Sequence, residues 1–534
     1  MAGSDALIEF TAKIMRKFSQ KQRDSYAVVQ AEREFDTLPT LTAEGFQRPG
    51  GGGITGAEKP VEFSASSQQV AGLWPFCVGS SAPLVGTILG RNLRNSQIVC
   101  GDPISYYLNG IISAPSCILL GLNGRGKSSL VVRMMMGIID AGFKTMVLAD
   151  TKPDYAGSTE AVGGQVIRVG PRLDGINPLD AGPLWERFIE LQQVDAEANT
   201  DYADELSAEI HNRRVSTIQA LFRLSGDKTA REIADDSLLL SIGILEAARR
   251  CERMDPPRQP LIADVKEVIQ EGTQEMRTAL LAENDAEYRA VSKVLVKALN
   301  VFGSNGIFGD VFARPTSTPI DLSRSCCFDI SAVRASGNRN LLAAVQVVCW
   351  SYGQAAISAA KTLAAAGLME ESHYCVILDE MWQVLGVDPE MIRFVNELTR
   401  LNRTIGVGQI LITHTPKDFV FQDDELTLIA KGFLERSPMK FYGALAESDM
   451  EALDQVMPMM DKEKMQLVAW APDGVMDPET RVVTPPVGLG KFLMKAGKGP
   501  GIPFQVSLTE REKAIHDTNT AWASAMTRTR SGRV

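Results

Sequence analysis

Three stretches of this chain carry residue types at spacings that could do chemistry. The run GLNGRGKSS, Gly121–Ser129, fits G-x-x-x-x-G-K-[ST] through Gly121, Gly126, Lys127 and Ser128. Glycines there let successive backbone N–H groups turn inward, and a helix N-terminus behind them adds positive partial charge, so the loop suits phosphates. Leu122, Asn123, Gly124, Arg125 and Ser129 complete that cradle; Lys127 would reach the outer phosphates and the Ser128 hydroxyl would ligate Mg²⁺. The second stretch, YCVILDE at Tyr374–Glu380, is an apolar run ending in two acids. Alone, such an ending is more often a solvated strand end. Downstream of a phosphate loop it reads as Asp379 holding Mg²⁺ and Glu380 orienting and deprotonating water. The third, RLNRTIGVGQILITHT at Arg400–Thr415, ends an apolar strand in Thr413-His414. If that strand lies beside the second, His414 senses the γ-phosphate; Arg400 and Arg403 are candidates for a trans-acting arginine, with Arg436 behind them.

Chemistry at strand ends requires a sheet. The runs SCILLGL, TMVLAD and QVIRVG, bounded by Gly, Asp and Pro, read as buried parallel strands. They belong to an α/β core, expected in two parts at 61–184 and 301–450. Between them, 185–300 has long 3.6-period stretches with 22 acidic against 15 basic residues, and is read as a helical insertion. Residues 1–60 are read as an amphipathic helix over 5–35 and a linker containing Gly50–Gly53. Residues 451–534 form a Gly/Pro-punctuated extension with the basic tail MTRTRSGRV.

Composition excludes several classes. With 534 residues, 45% hydrophobic and 22% charged, the chain is not disordered throughout and has ample material for a core. No stretch reaches the ~18 apolar residues needed to cross a bilayer, and the N-terminus does not read as a signal peptide, so no direct membrane span is expected. A net charge of −10 argues against a chain whose whole surface grips nucleic acid. Eight cysteines without a CxxC, and four histidines, point to buried thiols rather than zinc.

GLNGRGKSS, LADTKPDY with GGQVIRVG and INPLD, VILDEMW and NRTIGVGQILITH together resemble the HerA–FtsK group of P-loop ATPases. Within it the chain looks most like the TraC/VirB-type ATPases of conjugative type IV secretion systems, in their actinobacterial form. The resemblance spans roughly 75–449; INPLD and DE-x-W (Asp379–Trp382) are its more specific marks. It implies a RecA-like core with a helical insertion, ATP and Mg²⁺ as cofactors, and a ring, commonly hexameric, with sites between subunits. It also implies partners in a membrane secretion complex and a place at the cytoplasmic face of the membrane, held through those partners. Arg403 falls where the group has an arginine three residues before a Gly-hydrophobic turn. His414 departs from the group, which usually has Gln there. The expected function is a motor for transport or apparatus assembly. The alternatives are an FtsK/HerA-type DNA translocase, leaving DNA a possible partner, and a slow-turnover nucleotide-dependent scaffold.

Overall fold

The computed structural model describes residues 41–42, 45–46 and 82–515, apart from 235–237, 304–305, 401–405, 475–483 and 498. The chain divides into two compact units, Met1–Cys77 and Val78–Val534. Of the first, a two-stranded antiparallel pairing of Leu41–Thr42 with Gly45–Phe46 is described. The expected helix over 5–35, the Gly50–Gly53 linker, the basic tail and Arg403 lie outside the described residues.

The second unit is built on one eleven-stranded sheet. Its strands in chain order are β1 (Ile88–Asn92), β2 (Ile98–Cys100), β3 (Ser116–Leu120), β4 (Lys144–Asp150), β5 (Gln165–Arg168) and β6 (Cys326–Asp329). They continue as β7 (Tyr374–Leu378), β8 (Val407–Thr413), β9 (Met439–Tyr442), β10 (Lys491–Ala496) and β11 (Ile502–Val506). Across the sheet the order is β2-β1-β11-β10-β9-β3-β8-β7-β4-β6-β5. From β9 to β5 every pairing is parallel; from β9 to β2 every pairing is antiparallel. This is a RecA-like α/β fold, with a mostly parallel sheet and helices on both faces.

Parallel strands covered on both faces must be apolar throughout, which is why β3, β7 and β8 read as continuous hydrophobic runs. All residues of these three strands are buried. Period-two alternation divides them between two cores. Ile118, Leu120, Val376, Leu378 and Leu411 join one core; Cys117, Leu119, Cys375, Ile377, Ile410 and Ile412 join the other. The seven described cysteines are all free and buried, as small apolar residues of these layers.

Helix α1 (Lys127–Asp140) follows β3 directly. Between β5 and β6 the chain is predominantly helical from Phe188 to Leu299, its longest element being α2 (Tyr202–Leu224). Helix α3 (Arg339–Ala365) lies between α2 and β4. It is long and apolar enough to cross a membrane, yet its most apolar window is wholly buried inside the protein. Small residues let it approach the sheet closely: a Cβ at Gly353 would stand 2.4 Å from Leu148 Cδ2. The expectation that no stretch is apolar enough to span is thus corrected: this helix is, and polar residues dispersed among its apolar ones hide it from the sequence pattern.

The antiparallel half of the sheet corrects the sequence reading. The segment after 450 was expected as a punctuated extension, yet it supplies β10 and β11, which lie between β9 and β1. Glu463 ties them down: its carboxylate accepts from Lys495 Nζ of β10 at 2.6 Å and from Gly501 N at 2.8 Å.

Candidate functional site

Because β3, β8, β7 and β4 are adjacent and parallel, their carboxyl ends open on the same edge of the sheet, where open α/β sheets bind ligands. Four segments meet there. The loop after β3 turns through Gly124 and Gly126, at φ +71° and +90°, conformations that disfavour any side chain. Space also matters, since a Cβ on Gly121 would stand 3.1 Å from Gly443 Cα. Helix α1 then begins at Lys127.

Lys127 is buried, and its ammonium donates to Gly121 O at 2.6 Å, Leu122 O at 3.2 Å and His414 Nδ1 at 2.8 Å. Burial lowers its pKa to about 8, against the opposing pull of Asp379 and Glu380. An ammonium can only donate, so Nδ1 of His414 accepts, and we assign the ring proton to Nε2. That nitrogen lies 2.7 Å from Glu380 Oε2. His414 follows β8, and β8 pairs with both β3 and β7, so this bridge is a direct product of strand order.

Glu380 is 2% exposed and takes the left-handed conformation at φ +55°, costly for a residue with a Cβ. Two bonds hold the turn: Glu380 N donates to Asp379 Oδ1 at 2.7 Å, and Gln346 Nε2 of α3 donates to Asp379 O at 2.8 Å. Besides His414, the Glu380 carboxylate receives Lys152 Nζ and Trp382 Nε1. Burial alone would raise its pKa. The close His414 Nε2–H and the charge of Lys152 hold it well below the ordinary carboxylate range. Asp379 moves the opposite way, raised by burial and by the neighbouring Glu380 charge, while Tyr155 Oη donates to its Oδ2 at 2.9 Å.

The fourth segment, the turn after β4, brings residues to which the sequence reading assigned no role. Asp150 accepts from the backbone N–H groups of Lys152, Asp154, Tyr155 and Ala156, which shapes the turn. From it Lys152 reaches Glu380, Tyr155 reaches Asp379, and Asp154 Oδ2 accepts from Ser128 Oγ at 2.7 Å. The signal was present in LADTKPDY: polar and ionisable residues directly after a buried strand.

The structure thus brings Lys127, Ser128, Asp379, Glu380 and His414 into one cluster. The Arg125 side chain turns elsewhere, to Ala471 O at 2.7 Å and the Asp473 carboxylate at 2.6 Å, so only its backbone belongs to the phosphate cradle. Arg400 ends helix α4 (Met391–Arg400), and Arg436 donates to Asn396 of the same helix. The oxygen donors on hand, the Ser128 hydroxyl with the Asp379 and Asp154 carboxylates, suit a hard cation that keeps water and phosphate among its ligands. Among the described residues no group of three His, Cys, Asp or Glu side chains is placed to hold a metal alone.

No protein-family model and no curated protein sequence matches the chain. Among solved structures it is similar to VirB4 of Thermoanaerobacter pseudethanolicus, at 17% identity and a TM-score of 0.55, over 81% of this chain and 100% of that one. It is matched less well by the bacterial conjugative coupling protein TrwBΔN70, at 12% identity and a TM-score of 0.43, over 81% of this chain and 96% of that one. At such identities the likeness is one of fold.

Proposed function

We propose that the chain is a Mg²⁺-dependent ATP hydrolase, working as a ring-forming motor in a conjugative or related type IV secretion apparatus. The observation that carries the hydrolytic reading is the chain of contacts Lys127–His414–Glu380, which joins a phosphate loop to an acidic strand end through the strand between them. A simple nucleotide-binding scaffold has no need of that second half. The motifs resembling the TraC/VirB-type ATPases, and the fold shared with VirB4, support the secretion assignment over a DNA pump.

In this reading backbone N–H groups of 121–129 bind the nucleotide phosphates, and Lys127 exchanges its loop carbonyls for phosphate oxygens. Ser128 and Asp379 would hold Mg²⁺, with Asp154 at hydrogen-bond distance from the Ser128 hydroxyl. A cation held there would supply neutralisation of the phosphate charge. Glu380 orients the attacking water. Held by Lys152, His414 and Trp382, its carboxylate is a weak base, so accepting a proton requires one of those donors to give way to water. Lys152 then stands beside the transferring group as a second cation. Arg403 is assigned to the neighbouring subunit's site.

Glu380→Gln tests the hydrolytic assignment. The amide can hold a water but cannot take its proton, so Mg²⁺–ATP binding should persist while turnover falls about 10²–10⁴-fold. Parallel loss of binding and turnover would make Glu380 a structural residue.

A further inference from the structure

A cleft of about 270 Å³ opens beside this cluster, lined by Arg334, Asn338, Arg339, Leu342, Trp382 and Gln383 with the backbone of two glycines. Three of its properties point to one kind of ligand. Arg334 and Arg339 are exposed and make no ion pair among the described residues, and no acidic residue lines the cleft, although the chain carries a net charge of −10. Nearby arginines behave differently, Arg231 pairing with Asp388 and Arg393 with Glu390. Trp382 is 39% exposed, whereas Trp350 and Trp470 are buried. An indole left half in water beside two unneutralised guanidinium groups offers a stacking face and a phosphate clamp together. Carboxamides complete the wall: Asn338 spends its Oδ1 on Leu341 N, at 3.1 Å, which leaves its NH₂ as a donor, and Gln383 offers both functions.

We propose that this cleft binds a nucleotide unit, with its base stacked on Trp382 and its phosphate held between Arg334 and Arg339. The volume lies just below the ~300 Å³ at which small-molecule pockets begin, so one such unit fits and a dinucleotide cofactor does not. A nucleotide unit can arrive free or as part of a single strand, and the clamp reads chemistry common to both. The site is separate from the phosphate loop but not isolated from it. Trp382 Nε1 donates to Glu380, and the indole stands 5.7 Å from the His414 ring. Stacking on the outer part of the indole therefore bears on the carboxylate that its inner edge holds. This link to turnover rests on the hydrolytic reading above; the binding itself does not.

The test uses the full chain with its phosphate loop saturated by Mg²⁺–ADP. Binding of a fluorescein-labelled oligo(dT) is followed by anisotropy, and binding of dTMP by calorimetry, in the parent and in the Arg334→Gln/Arg339→Gln double variant. Both arginines are exposed, and an unchanged Mg²⁺–ADP affinity in the variant establishes that its fold is intact. At least one probe should bind the parent and bind the double variant about tenfold or more weakly, with a shallower salt dependence. Binding of the oligonucleotide alone identifies a strand as the source, and equal binding of dTMP identifies a free nucleotide. The proposal is overturned if neither probe binds the parent, or if the variant binds both as tightly as the parent. It is also overturned if the variant keeps probe binding and loses basal ATP turnover, which would assign the arginines to hydrolysis. A parent that binds a probe but never hydrolyses ATP would remove the hydrolytic reading and leave the cleft standing.

Discussion

At the scale of residues the site is a chain of polar contacts, Lys127 to His414 to Glu380 to Lys152, in which a neutral imidazole joins an ammonium to a carboxylate. Each buried charge in it depends on the next, and removing a link strands a neighbour in a poorly solvated place. His414 must accept from Lys127 and donate to Glu380 at once. A glutamine can do both through its two amide atoms, whereas alanine can do neither. His414→Gln is therefore expected to keep turnover within about tenfold of the parent, while His414→Ala loses more than that with ATP affinity little changed. Steady-state kinetics on the two variants, with ATP affinity measured separately, checks this; equal turnover in both would reduce His414 to a strand-end residue. The residues legible in the sequence were those whose motif is contiguous, the phosphate loop and the strand ends at Asp379-Glu380 and His414. Lys152, Asp154 and Tyr155 carried no assigned role, because their turn becomes part of the site only once β4 pairs with β7.

At the scale of elements the parallel strands were readable because double-sided burial writes an unbroken apolar run into each. The antiparallel strands were not. KFLMKA and IPFQV are interrupted by Lys and Pro, and β11 pairs with β1, some four hundred residues earlier, a partnership that local pattern does not encode. Glu463 fixes this half of the sheet, and its behaviour with pH is a specific expectation. Burial would raise its pKa, but hydrogen bonds from Lys495 and Gly501 hold it below the ordinary value. The folded state therefore holds the proton less tightly than the unfolded one. The stabilisation is present above the unfolded pKa of about 4.3 and is lost as pH falls below it. Glu463→Gln should be less stable than the parent at pH 7, by denaturant midpoint, and the gap should close between about pH 5 and pH 3. A gap that stays constant over that range would mean the carboxylate charge contributes nothing.

At the scale of the whole molecule the proposal joins a nucleotide core to an assembly. A ring with sites between subunits makes Arg403 act on its neighbour, so Arg403→Ala should depress turnover with little change in ATP affinity. Mixed with Lys127→Ala, it should regain part of the activity, since some interfaces then combine an intact phosphate loop with an intact arginine. No recovery at any ratio would move the role to Arg400 or Arg436. Beneath both assembly and partner lies the claim that this chain hydrolyses ATP at the loop carrying Lys127, and phosphate release by the intact chain with Mg²⁺–ATP tests it most directly. The parent is expected to release phosphate with multiple turnovers, and Lys127→Ala to fall to the buffer rate while remaining folded in the absence of nucleotide. Release by Lys127→Ala at the parental rate would contradict the account.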